Sequence, residues 1–253
     1  MLVHGLARSS RSMKPMEKAL AAAGYTVYSV KYPSTRKTVR ELSDEHLAPL
    51  IEQCQAAKPA KIHFVAHSLG NVVLRYYFST NTLENTGRIV MLGPPNRGSE
   101  VVDKLGRFSL FKWINGPAGL QLGTSTNSLP NSLPLPPAEV GVIAGTRSIN
   151  LFLSMLIPGP DDGKVSVERA KMNGIKDFVT VAASHPFLMR NRAVIDLTLS
   201  FLRDGKFKTG ESRKVSETIR AWQRGLALIF SALQRALQDV RLCSAPGIAR
   251  SVK

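Results

Sequence analysis

The apolar and polar residues of the chain follow two periodicities that replace each other in short order. Short apolar runs such as 61–65 and 88–92 are typical of buried strands, whereas 12–23 repeats its apolar residues at helical spacing. This alternation predicts βαβ units, and therefore an α/β fold with a mainly parallel sheet and helices on both faces. We predict strands at 1–4, 25–32, 61–65, 88–92, 140–144 and 177–183, and helices at 12–23, 38–57, 71–78 and 194–202.

Residues 97–137 interrupt this alternation. They begin with an apolar part, F-S-L-F-K-W-I at 108–114, and continue at 116–137 with mostly Gly, Ser, Thr, Asn and Pro. A segment of this length inside a compact domain is usually functional or disordered. We predict a lid-like insertion over about 99–137 whose apolar part shelters a hydrophobic pocket, with an insertion packed on the surface as the alternative. The candidate lid residues are Phe108, Leu110, Phe111, Trp113 and Ile114.

The character of the chain changes after residue 205. A polar linker at 206–213 precedes a helical pattern at 215–242, in which apolar residues cluster on one side and arginines are frequent. We therefore predict one α/β domain over 1–205 and a basic helical C-terminal extension over 206–253. The extension can pack on the domain, pair with another chain or lie on an anionic membrane surface, and the first two are favoured because apolar stripes mostly contact protein.

The charge of the chain is strongly positive, and much of the excess lies in the last fifth. The 253 residues contain 34 Lys and Arg against 18 Asp and Glu, a formal net charge of +16. Such a balance raises the question of anionic partners. Peripheral contact of the extension with an anionic membrane is a candidate interaction. Nucleic-acid binding is not expected, because aromatic and basic residues do not interleave, and no pattern indicates an oligomeric state.

Location and cofactors are indicated by what the sequence lacks. No stretch approaches the ~18 consecutive apolar residues of a membrane span, and residues 1–6 have no signal-peptide pattern. We expect a cytoplasmic protein, although 1–3 resembles the end of a strand, so a native start upstream of Met1 is the alternative. Cys54 and Cys243 have no pairing or metal-ligand spacing, so we expect free thiols and neither metal nor cofactor.

Three kinds of polar residue follow predicted strands at their carboxyl ends. Ser68 follows 61–65, the pair Asp161 and Asp162 comes after 140–144, and His185 follows 177–183. Ligands and catalytic groups gather at this edge of a parallel sheet. A serine becomes a nucleophile when a histidine removes its proton, and a carboxylate fixes the tautomer of that histidine. The sequence therefore predicts a nucleophilic serine with a base and an acid.

The surroundings of Ser68 fit a tight strand-turn-helix. Such a turn needs small residues two positions before and after the serine, and these are Ala66 and Gly70. A nucleophilic serine also needs N–H donors for the oxyanion that forms on the substrate. The amide of Leu69 at the start of the next helix is one candidate. The amide of Leu6, in the H-G-L turn after the first strand, is the other.

The motifs L-V-H-G-L, V-A-H-S-L-G, L-G-P-P-N-R-G-S, D-D-G-K-V and S-H occur in this order along the chain. Together they resemble those of lipase-like α/β-hydrolases, especially small bacterial triacylglycerol lipases and esterases, over about 1–203. The resemblance implies an α/β-hydrolase fold. Residue by residue it implies Ser68 as nucleophile, His185 as base, Asp162 as acid with Asp161 as the fallback, and Leu6 and Leu69 as oxyanion donors.

We accordingly expect a serine hydrolase that cleaves carboxylic esters through an acyl-enzyme intermediate. The apolar residues at 108–114 indicate an acyl or lipid-like ester as the small-molecule substrate. Two alternatives stay open at this point. One is an acyltransferase that uses the same triad, and the other is a non-catalytic lipid- or anion-binding protein on a hydrolase fold.

Overall fold

A parallel sheet forms the centre of the protein in the computed structural model, which describes residues 1–208. Its five strands are hydrogen-bonded in the order β1-β2-β3-β4-β5, and each neighbouring pair is parallel. This confirms the predicted α/β class, and it brings the carboxyl ends of all strands to one edge. The strands are β1 (Leu2–Val3), β2 (Ile62–His67), β3 (Thr86–Leu92), β4 (Val140–Gly145) and β5 (Asp177–Val181).

Helices connect the strands, as the alternating pattern predicts. Short 3₁₀ turns occur at Ser10–Met13 and at His185–Arg190, the second directly after β5. The α-helices are α1 (Lys14–Ala22), α2 (Val39–Leu42), α3 (Ala48–Ala56), α4 (Leu69–Thr80), α5 (Glu100–Leu105), α6 (Ser109–Leu120), α7 (Leu129–Ser132), α8 (Leu151–Met155), α9 (Val167–Ala170) and α10 (Arg192–Asp204).

The core lies on both faces of the sheet, because successive residues of a strand point to opposite sides. In β2, Phe64 and Ala66 belong to one buried cluster, which includes side chains of α3 and α4. Val65, between them, belongs to a second cluster with side chains of α1 and α10. Strands buried on both faces carry apolar residues in succession, as at 64–66 in β2 and 140–144 in β4, and this makes both strands recognisable in the sequence.

Two predicted elements differ in detail from the structure. The helix predicted at 38–57 contains a π-helical turn at Ser43–Leu47, where Ala48 donates its N–H to Ser43 O, just before Pro49. Proline has no N–H and crowds the preceding turn, which favours a local change of winding. The segment 25–32 is not a regular strand. It pairs with β1 through a single bridge at Ser29, because β1 offers only two residues.

The predicted insertion contains α5, α6 and α7. Helix α6 is kinked at Gly116, whose φ is 63°. A side chain there would place its Cβ 1.8 Å from Thr35 O, so glycine allows this kink to pack against the loop before α2. Ala118 donates its N–H to Lys37 O at 3.1 Å, which fixes the second half of α6 to the same loop. A lid role for this insertion stays a prediction.

The last described helix, α10, ends close to the predicted domain boundary. Gly205 follows it in the left-handed conformation, and Phe207 packs on Phe201 with ring centroids 4.9 Å apart. The helix predicted at 215–242 and most of the extension predicted at 206–253 lie outside the described residues. Within residues 1–208, no helix combines the length and apolar character that crossing a bilayer requires.

Candidate active site

Ser68 lies on a strained turn between β2 and α4. Its φ of 53° and ψ of −122° are values that a residue with a side chain rarely adopts. The turn is held by hydrogen bonds: the Ser68 N–H donates to Leu92 O at 3.0 Å, and Asn71 donates its side-chain amide to Ser68 O at 3.1 Å. The serine hydroxyl is thereby presented at the carboxyl edge of the sheet.

The small residues around Ser68 have different structural reasons. A Cβ on Gly70 would lie 2.6 Å from Val3 O and 2.7 Å from His4 O, so α4 passes β1 only because this residue is glycine. Ala66 is completely buried in the core beside β1 and β3. The sheet accommodates its methyl group.

His185 and Asp162 complete a hydrogen-bonded chain with the serine. His185, at the start of the 3₁₀ turn after β5, has its Nε2 2.8 Å from Ser68 Oγ. Its Nδ1 lies 2.7 Å from Asp162 Oδ2 on the other side of the ring. The three side chains are buried. Residues separated by more than 100 positions are thus brought into contact in the geometry of a nucleophile, a base and an acid.

The two neighbouring aspartates face different partners. Asp162 Oδ1 accepts the N–H groups of Lys164 at 3.0 Å and Val165 at 2.9 Å, which leaves Oδ2 for His185. Asp161 Oδ1 instead accepts the hydroxyl of Ser154 and the N–H of Gly163. The structure therefore brings Asp162 to the histidine and gives Asp161 a place in the turn.

The two predicted oxyanion donors lie beside the serine. Leu69 is the first residue of α4, and its N–H is one of those that a helix leaves free. Leu6 lies in the turn after β1 and lines the same cavity as Ser68. This turn packs closely on the serine, since a Cβ on Gly5 would lie 3.0 Å from Ser68 Cβ. In the hydrogen bonding of residues 1–208, neither amide is engaged by a backbone carbonyl.

Two further histidines support the site. His67 Nε2 donates to the backbone oxygen of His185 at 3.0 Å, and the two rings are 4.9 Å apart. Complete burial, with a smaller effect from His185, lowers the pKa of His67 well below its usual value, so the ring is neutral. His4 stacks on Tyr32 at 4.1 Å, and the Tyr32 hydroxyl donates to His4 O. These contacts hold the turn that carries Leu6.

A cavity of about 310 Å³ opens at the serine and histidine. Of the candidate lid residues, Phe111 lines it, whereas Leu110 and Trp113 are 67% and 81% exposed. Its wall combines apolar side chains with two cationic ones, Arg8 and Lys164. Such a mostly apolar cleft with a few polar groups is typical of small-molecule sites. The apolar lining includes Leu6, Val101, Val102, Phe111, Leu122 and Leu153.

Some residues of the site are missing from the sequence-based prediction. Asn71 donates a hydrogen bond to the turn of Ser68 and lies three residues after the serine. This spacing is the only feature of the sequence that indicates its contact with the turn. Arg8 and Lys164 each follow a recognised residue, Leu6 and Asp162, by two positions. Among the residues that the structure describes, no cluster of His, Cys, Asp and Glu could hold a metal ion.

Comparison with protein families gives a match over residues 1–95 to the family described as "Putative serine esterase (DUF676)". The matched residues include Ser68 and both predicted oxyanion donors, whereas Asp162 and His185 lie beyond them. A search of curated protein sequences found no match.

Solved structures with a similar fold include lipases. The mature form of the lipase BlEst2 from Bacillus licheniformis is 19% identical with a TM-score of 0.60, over 79% of this chain and 87% of that one. Its propeptide form is 17% identical with a TM-score of 0.65, over 83% of this chain and 51% of that one. Lipase B from Aspergillus fumigatus is 16% identical with a TM-score of 0.56, over 84% and 54% of the two chains. The chain therefore has the α/β-hydrolase fold of these enzymes.

Proposed function

We propose that this carboxylic ester hydrolase of the α/β-hydrolase type cleaves acyl or lipid-like esters through an acyl-enzyme intermediate formed on Ser68. The observation that carries the proposal is the hydrogen-bonded chain from Ser68 Oγ through the His185 ring to Asp162 Oδ2. The serine esterase match over 1–95 and the lipase-like fold support the same reaction class.

In the first half of the reaction, Ser68 Oγ attacks the ester carbonyl carbon while His185 Nε2 takes the hydroxyl proton. The carbonyl oxygen becomes an oxyanion, which the amides of Leu6 and Leu69 stabilise. Collapse of this intermediate breaks the bond to the alcohol oxygen. The leaving alcohol takes the proton from His185 Nε2, and the acyl group stays on Ser68.

In the second half, water attacks the acyl-enzyme and gives its proton to His185 Nε2. The bond to Ser68 Oγ breaks, the serine recovers the proton, and the carboxylic acid leaves. Asp162 stabilises the imidazolium that forms in each half and keeps Nδ1 protonated in the resting state. Its other oxygen is held by two backbone N–H groups, so the carboxylate has one orientation toward the ring.

The lining of the cavity supports an acyl chain as part of the substrate. Val101, Phe111 and Leu122, all from 99–137, contribute apolar residues to the cavity that Ser68 lines. Burying such surface against methylene groups stabilises a complex by roughly 0.8 kcal/mol per CH₂. Longer acyl chains are therefore expected to give higher kcat/KM until the cavity is full.

Hydrolysis of p-nitrophenyl butyrate and octanoate tests this function. The variants to compare with wild type are Ser68→Ala and, as a matched control, Ser79→Ala, because Ser79 is exposed on the same helix. We expect loss of activity in the first variant alone, with the octanoate ester preferred by the wild type. Equal rates for wild type and Ser68→Ala would refute the proposal, and an added alcohol acceptor would reveal acyl transfer as ester product.

A further inference from the structure

We propose that Arg8 and Lys164 form an anion-binding subsite in the wall of the catalytic cavity, which selects esters whose alcohol part carries a carboxylate or phosphate. This inference rests on the proposed function of Ser68 and names the substrate class of that site. These two residues are the Lys and Arg members of a cavity lining that is otherwise mostly apolar.

Arg8 and Lys164 are distinguished from the other cations of the chain by the cavity that they line. Cations without an ion-pair partner are common on a chain with a net charge of +16, so the lack of such a partner alone does not indicate a binding site. Arg8 and Lys164 differ from other cations of the chain in their position, because both line the cavity that contains Ser68 and His185. Within residues 1–208, neither takes part in an ion pair.

Arg8, Lys164 and Asp162 are the charged groups that influence one another at this part of the cavity. Surrounding protein lowers the pKa of Lys164, and the charge of Arg8 lowers it further, while Asp162 acts in the opposite direction. Both residues are nevertheless exposed to solvent and line the cavity. The Asp162 carboxylate is engaged by His185 and backbone amides, so it does not neutralise both cations. An anion between Arg8 and Lys164 would relieve their repulsion.

The apolar and cationic residues of the cavity suit different parts of an ester. Val101, Phe111 and Leu122 supply apolar wall for the acyl chain. Lys164 instead follows Asp162, the partner of the histidine that protonates the leaving alcohol. The cationic pair is therefore assigned to the alcohol side. A guanidinium can bind a carboxylate or phosphate through two parallel hydrogen bonds, and a lysine adds a compact charge.

The test uses two esters that differ only in charge on the alcohol side, 4-octanoyloxybenzoate and 4-octanoyloxybenzamide. Released hydroxybenzoate or hydroxybenzamide is quantified, and the ratio of the two kcat/KM values is compared among full-length variants. We expect wild type to prefer the anionic ester by about tenfold, since hydrogen bonds to charged groups are stronger than those between neutral groups. Raised salt should reduce this preference.

Arg8→Gln and Lys164→Gln are each expected to lower the preference ratio about three- to tenfold, and Arg8→Lys to retain part of it. Arg11→Gln is the matched control, because Arg11 is exposed on the adjoining 3₁₀ turn and does not line the cavity. A third ester, p-nitrophenyl hemisuberate, carries its anion on the acyl side. Two results together would overturn the assignment. One is a preference for p-nitrophenyl hemisuberate over p-nitrophenyl octanoate, and the other is no preference for 4-octanoyloxybenzoate over 4-octanoyloxybenzamide.

The outcome for the subsite is separable from that for the proposed function. If Ser68→Ala abolishes hydrolysis of both octanoyl esters while Arg8→Gln and Lys164→Gln leave the ratio unchanged, the enzyme stands and the subsite is refuted. If Ser68→Ala leaves both rates unchanged, the proposed function itself fails. Melting temperatures of all variants exclude misfolding as a cause, since only an altered ratio at unchanged melting temperature counts as support.

Discussion

Exchange of Asp162 for asparagine is the sharpest test of the acid in the proposed triad. In the native site, Asp162 Oδ1 accepts two backbone N–H groups, and Oδ2 accepts from His185 Nδ1. In Asp162→Asn the two backbone donors require the remaining side-chain oxygen, so the new NH₂ group faces His185. An NH₂ group can only donate there. His185 Nδ1 must then be the acceptor, and the ring proton moves to Nε2, facing Ser68.

This tautomer cannot remove the serine proton, which sets the size of the effect. The same substitution in a serine protease triad lowers kcat about 10⁴-fold, or ~5.4 kcal/mol in the activation barrier. We expect a loss of this order in kcat here, with a small change in KM, because the cavity wall is unaltered. The measurement is kcat and KM for p-nitrophenyl octanoate between pH 6 and 9.

Asp161→Asn is the matched control for this experiment. Asp161 Oδ1 accepts from Ser154 and from the Gly163 N–H, and an asparagine oxygen can accept both bonds. We expect activity within about threefold of wild type, as for a substitution outside the reacting groups. Loss of activity in Asp161→Asn together with retention in Asp162→Asn would refute the reasoning and move the acid to the neighbouring residue.

Three further predictions concern the turn, the histidines and the extension. Gly70→Ala places a methyl group within 2.7 Å of the backbone oxygens of Val3 and His4. We expect the free energy of unfolding to fall by about 1–3 kcal/mol, with a lower melting temperature and lower activity. Unchanged stability and activity would contradict this packing. Burial lowers the pKa of His67 and of His4, so the unfolded chain binds more protons than the folded one. Stability should therefore fall as pH drops below about 6.5, and chemical denaturation at pH 7 and 5 measures it; equal stabilities would oppose it. The full chain should bind anionic vesicles through 206–253 less tightly at high salt, and salt-independent cosedimentation would argue against an electrostatic contact.

Much of the fold was predictable because its central strands are buried on both faces. For this reason β2 has apolar residues in succession at 64–66, and β4 reads V-G-V-I-A at 140–144. The segment 25–32 is also rich in β-branched and aromatic residues, but it pairs with β1 only through a single bridge at Ser29. The π-helical turn at 43–47 likewise depends on winding before Pro49, which apolar spacing does not register. Periodicity thus predicts which segments are buried, and less well what hydrogen bonds they make.

The predicted site residues were found by their position at strand ends, but their contacts required three-dimensional information. Both Asp161 and Asp162 satisfy the pattern, and only the direction of each carboxylate distinguishes them. Arg8 and Lys164 carry no motif of their own, and their relation arises from two loops that meet at one cavity. A contact across such a separation leaves no local trace in one sequence.

The extent of the family match has a physical counterpart in the site. The match covers 1–95 and includes the two turns in which the backbone itself is part of the proposed chemistry. There Gly5 approaches the serine and Gly70 approaches β1 so closely that a single Cβ would collide. Such limits fix residue types at fixed spacings, and they produce a short recognisable pattern. Asp162 and His185 contribute through side chains that reach the site from separate loops. The loops that carry Asp162 and His185 can vary in length provided that both side chains reach the carboxyl edge of the sheet. This half of the site is therefore better recognised from the order of strands than from fixed residue spacing.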